Sequence, residues 1–161
     1  MIILSESCLS INNHEFQYNG HPVHPLLIKE LLPNPETNSS IGCINLDTLT
    51  NYDNIEIVND SSTINSGIWF LSYFSNTGYI DYHLVSVYKK FYCIIVRDID
   101  GSFPQAYVCF LSLQNKKLCV DGYIEVQNLR DNLITISGDY LNIGNTKHLI
   151  NTIIHSSKNL K

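Results

Sequence analysis

The sequence is poor in the residues that usually announce a chemistry. It carries 8 glycines in 161 residues, and none stands in a GxGxxG or GxxxxGK pattern. That argues against the phosphate-cradling loops of the common nucleotide sites, which need glycine where backbone must approach the ligand. There is no Gly-x-Ser-x-Gly elbow and no cysteine-protease signature, so nucleophilic hydrolysis lacks its usual frame. Charge is sparse at 16% of residues, and the 10 basic side chains are outnumbered by 15 acidic ones, for a net −5. That balance argues against a nucleic-acid binder, which normally needs a basic face. Long apolar runs are also missing: the best, GIWFLSYF over Gly67–Phe74, is strand-sized, so no membrane span is expected.

The opening MIILSESCLS has no basic stretch and no apolar region of useful length, so no secretory leader is expected. The acceptor patterns at Asn38 and Asn59 then carry no weight. Cysteine is present but unpatterned. Cys8, Cys43, Cys93, Cys109 and Cys119 are odd in number and form no CxxC. Cys93, Cys109 and Cys119 sit in apolar runs, where cysteine behaves as a small buried hydrophobe. Reduced, structural cysteines in a cytoplasmic protein are the expectation.

What the chain does have is apolar content, at 44%, and 10 tyrosines. That is enough for a single domain over residues 1–161 with a core of its own. LSINNHEFQYNGHPV reads as small strands with turns at Asn12-Asn13 and Asn19-Gly20. HPLLIKELLP reads as a short helix with Pro25 in its first turn and Pro33 as its stop. Beyond Ile41 the chain turns to runs rich in Ile, Val, Tyr and Phe, near 67–75, 79–88, 91–97, 105–113, 117–121, 123–128 and 132–137, with short polar spacers. Spacers that short favour antiparallel neighbours. Leu118, Val120, Ile124 and Val126 alternate as on one half-buried face, whereas FYCIIV lacks alternation and reads as buried on both sides. Leu149, Ile150, Ile153 and Ile154 share a helical face that Asn145 or Thr146 could cap. The expected fold is therefore α+β and mostly β: a twisted antiparallel meander, open, half-closed or closed into a barrel, with a short N-terminal and a C-terminal helix.

Three features invite a site. Asp98-Ile99-Asp100-Gly101 resembles the start of a calcium loop, but no acid follows to complete six to eight oxygen ligands. A hairpin tip explains it better. His14, His21 and His24 lie close in sequence, yet Pro22 opposes the helix that would turn two of them inward, so they read as surface or turn histidines rather than zinc ligands. The third is the pairing of many tyrosines with acids at strand ends and turns: Asp98, Asp100, Asp121, Glu125, Asp131 and Asp139. Tyrosine supplies large contact area at low entropic cost, and the acids would form an electrostatic rim.

In size, acidity, β-rich make-up and lack of active-site motifs the chain resembles bacterial immunity proteins of contact-dependent growth-inhibition and related polymorphic-toxin systems. The resemblance is one of overall character. It implies a non-enzymatic protein, without cofactor or metal, that binds a cognate toxin domain, often a basic nuclease, and blocks its substrate cleft. It implies no direct contact with nucleic acid or membrane. The competing expectations are a small-ligand carrier built as a β-barrel and an enzyme without recognisable motif.

Overall fold

The computed structural model describes residues 9–12, 15–32, 42–47, 58–60, 70–74, 78–100, 105–127 and 133–158. Along the chain come β1 (Leu9–Asn12), β2 (Glu15–Tyr18), β3 (His21–Pro22), α1 (Pro25–Lys29), β4 (Cys43–Asn45), β5 (Val58–Asp60) and β6 (Phe70–Phe74). Then follow β7 (Gly78–Tyr88), β8 (Phe91–Asp100), β9 (Gln105–Gln114) and β10 (Lys117–Glu125). The chain closes with β11 (Ile134–Ser137), β12 (Tyr140–Ile143), β13 (Thr146–Leu149) and α2 (Ile150–Lys158). A seven-stranded sheet in the order β4-β10-β9-β8-β7-β6-β5 forms the middle, curled as a half-barrel whose edges β4 and β5 do not meet. All its pairings are antiparallel, as the short spacers require.

Each face of this sheet is covered by one end of the chain. On one face Phe16, Val23, Leu27, Ile28 and Leu31 of the N-terminal strands and helix pack against Ile80, Tyr82, Ile94, Val96, Cys109 and Leu111. On the other, Ile134, Leu141, Ile150, Ile153 and Ile154 pack against Cys93, Ile95, Val108 and Phe110. FYCIIV is therefore buried on both sides, with Ile94 and Val96 serving the first core and Cys93 and Ile95 the second. Side chains fill both faces, which leaves the sheet as the centre of three layers.

Tyr82 ties the N-terminal layer down. Its hydroxyl donates to the Val23 carbonyl at 2.8 Å and accepts from the Phe16 amide at 3.2 Å, and the residue is 0% exposed. Burial holds its phenol far above the usual range. Tyr82→Phe would leave a buried N–H without that acceptor. We expect a loss of about 1–3 kcal/mol in urea unfolding. A change within a few tenths would mean the N-terminal layer does not depend on this hydroxyl.

Several expectations are corrected. The chain does not break at Gly122: β10 runs through it, with a bulge between Val120 and Gly122. The extra residue flips the side-chain parity, so Leu118 and Val120 serve the first core while Ile124 and Val126 serve the second. The C-terminal helix begins at Ile150, not near Asn145. Two-residue loops at Gly138-Asp139 and Gly144-Asn145, with both glycines at φ 58°, build a three-stranded sheet first, and Leu149 ends up 43% exposed.

The cysteines are not all reduced either. Cys43 and Cys119 form a disulfide between directly opposed residues of β4 and β10, with Cα atoms 4.1 Å apart. The pairing joins residues separated by 76 positions, which no local spacing could announce. Cys93 and Cys109 are buried thiols, as expected, and burial pushes the Cys93 thiol up to about 12 and that of Cys109 higher still.

Candidate functional site

Antiparallel register places the chemistry at two opposite ends of the central sheet. Gly78 opposes Asp100, Asp98 opposes Gln105, and Tyr107 opposes Glu125, so these residues share one end. The tight turns at Lys89-Lys90 and Asn115-Lys116, followed by Lys117, share the other. The strands thus run from an acidic end to one bearing four lysines.

At the acidic end, on the face carrying the N-terminal layer, Tyr107 and Tyr123 meet edge to face with ring centroids 5.9 Å apart. The Tyr107 hydroxyl donates to Oε1 of Gln105 at 3.1 Å. Burial, and after it the negative charge of Glu125 and the smaller influence of Asp98, pushes the Tyr107 phenol up to about 12. Tyr107 therefore stays a neutral donor. Glu125 is exposed and Asp98 half-buried, with Oδ2 of Asp98 3.4 Å from Nζ of Lys29 on α1.

The structure thus brings Asp98 and Glu125 together beside two tyrosines, and puts the backbone of Asp100 at the same end. Asp121 lies farther along β10, in the bulge, where its Oδ2 is buried without a hydrogen-bond partner. Asp139 is elsewhere. It sits at the lysine-bearing end, accepts from the Tyr88 hydroxyl at 2.6 Å and lies 4.0 Å from Nζ of Lys89. Asp131 and Gly101 lie outside the described residues, as does His14. The strands flanking the D-I-D-G stretch do form an antiparallel pair, as a hairpin requires. Among the described residues no group of three His, Cys, Asp or Glu side chains could hold a metal ion.

His24 is not a surface histidine. It is 1% exposed and caps α1, its Nδ1 accepting from the Leu26 amide at 3.0 Å. The sequence hid this, because histidine is not a usual N-cap and Pro25 already explained the helix start. Burial lowers its pKa to about 4. As pH falls below about 6.5 the unfolded chain takes up a proton that the folded chain refuses, so this contribution is lost between about 6.5 and 4. We expect the wild type to lose about 2 kcal/mol more between pH 7 and 4.5 than His24→Asn, which keeps a capping acceptor but does not titrate. Equal losses would show that His24 charges freely in the folded state.

The second polar group missed in the sequence is Asp81 with Arg97, register partners on β7 and β8. Nε of Arg97 donates to Oδ1 of Asp81 at 2.8 Å and a terminal nitrogen donates to Oδ2, making a fork at 1% and 5% exposure. The guanidinium also lies 5.3 Å from the Tyr79 ring, and His83 is buried on the same face. The pair joins residues directly opposed in the register of β7 and β8.

No protein-family model, no curated protein and no solved structure matches this chain. Among the described residues, no helix is long and apolar enough to cross a membrane.

Proposed function

We propose that the protein is a non-enzymatic immunity protein that neutralises a cognate toxin domain by occluding its substrate cleft. The observation that carries this reading is the register that sets Asp98 of β8 and Glu125 of β10 on either side of β9 at one end of the sheet. A nuclease cleft must be positive to hold phosphate, and an acidic surface is its electrostatic counterpart. Of the two rings only the half-buried Tyr123 reaches that surface, with Tyr107 packed beneath it at 4% exposure. The lysines at the far end of the strands, two of them beside Asp139 and Asp47, leave that end less acidic, which favours an approach led by the acidic end. On this reading Asp98, Asp100 and Glu125 meet the partner, Asp121 borders the contact, and Asp139 takes no part. The partner is a basic protein domain, and no cofactor is required.

Such a protein works in the cytoplasm, where Cys43 and Cys119 would be held as thiols. The neutralising form is then the reduced one. Co-expression with the toxin domain encoded beside its gene tests the proposal. Cells carrying both should survive, and cells carrying the toxin alone should die. Equal killing with the folded protein present in excess would refute it. The carrier reading has less support, since side chains of both cores occupy the two faces of the sheet.

A further inference from the structure

We propose that Cys43–Cys119 is a reversible thiol–disulfide exchange site that latches the edge strand β4 to β10. The inference stands apart from the immunity reading and needs only a small dithiol or a dithiol protein as reductant. Three observations point to it. The residues are directly opposed on neighbouring strands, so the bond closes without rearrangement of either. Cys43 is exposed whereas Cys119 is 4% exposed, so an incoming thiolate reaches one sulfur and the other is the leaving group. And β4 is a short edge strand: three residues pair with β10, flanked by Leu46 donating to the Lys116 carbonyl at 2.9 Å and Val120 donating to the Gly42 carbonyl at 3.5 Å, with Lys116 Nζ 3.8 Å from Asp47.

In the exchange a thiolate of the dithiol attacks Sγ of Cys43, the S–S bond breaks, and Cys119 leaves as thiolate and takes a proton. The second thiol of the reductant then displaces Cys43 from the mixed disulfide. The protein gains two electrons and two protons, and the reductant leaves as a cyclic disulfide. Once open, the latch no longer constrains the segment 42–47, which carries Ile44 of β4 and Leu46 just beyond it into the first core and whose Asp47 accepts from the Tyr18 hydroxyl at 3.1 Å. The segment 42–47 then becomes the part of that core most readily released.

The test uses the full chain in a Cys8→Ser background, so that a further thiol cannot exchange. Native protein first oxidised with oxidised glutathione should take up no alkylating agent. After dithiothreitol under folding conditions, Cys43 and Cys119 should be alkylated while Cys93 and Cys109 remain unmodified. Amide exchange over 42–47 should rise about tenfold or more, that of β8 and β9 should stay as it was, and oxidised glutathione should reverse both effects. The double substitution Cys43→Ser, Cys119→Ser should reproduce the exchange pattern of the reduced protein. Alkylation of Cys43 before reduction, labelling of all four cysteines together, or unchanged exchange over 42–47 in the reduced protein and the double variant would each overturn the proposal.

Discussion

Arg97→Met is expected to destabilise the protein by about 3–5 kcal/mol, because it strips a buried carboxylate of its forked partner. Asp81 is 1% exposed, and both its oxygens accept from the guanidinium. At 1% and 5% exposure water cannot take the place of either group. The double substitution Asp81→Leu, Arg97→Met removes both charges and should cost less than Arg97→Met alone, since neither group is then left to be desolvated unpaired. Urea denaturation of wild type, both single variants and the double variant closes the cycle. A single-variant cost below about 1 kcal/mol would place the pair in effectively solvated surroundings and contradict its burial.

Gly122→Ala should be comparably damaging for a different reason. A Cβ built on Gly122 would stand 2.5 Å from the Ile153 carbonyl oxygen and 2.9 Å from the Ile154 Cα. These are backbone atoms of α2, which cannot swing aside as a side chain can. The helix must lift from β10, and Ile150, Ile153 and Ile154 lose part of their burial with it. We expect about 2–4 kcal/mol in thermal or urea unfolding, and faster amide exchange along α2. A variant within about 0.5 kcal/mol of wild type, with α2 unchanged, would mean that helix and strand are not in the contact described.

These two positions also show where the sequence stops being legible. Apolar runs with short polar spacers were enough to place β7, β8 and β9 and their antiparallel order, and the unbroken FYCIIV run was enough to say that both faces are covered. In sequence, however, β10 reads as two runs broken at Gly122. Local periodicity carries no information about bulges. A turn at Lys89-Lys90 with unbroken register would set Tyr82 opposite Arg97. The irregularity between Leu84 and Ser86 shifts the pairing by one, and Asp81 becomes the partner. The same effect made Gly122 resemble a turn, when its role is to let α2 approach. At the C-terminus Leu149, Ile150, Ile153 and Ile154 do follow a helical period, but turn chemistry at Gly144-Asn145 takes Leu149 into β13 first. The acids could be picked out by type, yet sorting them by position needed the register. Asp98 and Glu125 lie 27 positions apart in sequence and share one end of the sheet only because β9 pairs with both their strands.

The proposed interface is tested most directly by the rate at which the protein associates with the toxin domain encoded beside its gene, measured by stopped flow from low to physiological salt. The double variant Asp98→Asn, Glu125→Gln should associate roughly tenfold more slowly at low salt, with a shallower salt dependence. Its stability should stay close to wild type, because Glu125 is exposed and the Asp98–Lys29 pair is partly solvated. Asp139→Asn, at the opposite end of the strands, should associate as wild type does. Equal rates for the double variant and wild type, or a larger loss from Asp139→Asn, would contradict the assignment of the acidic end as the binding face.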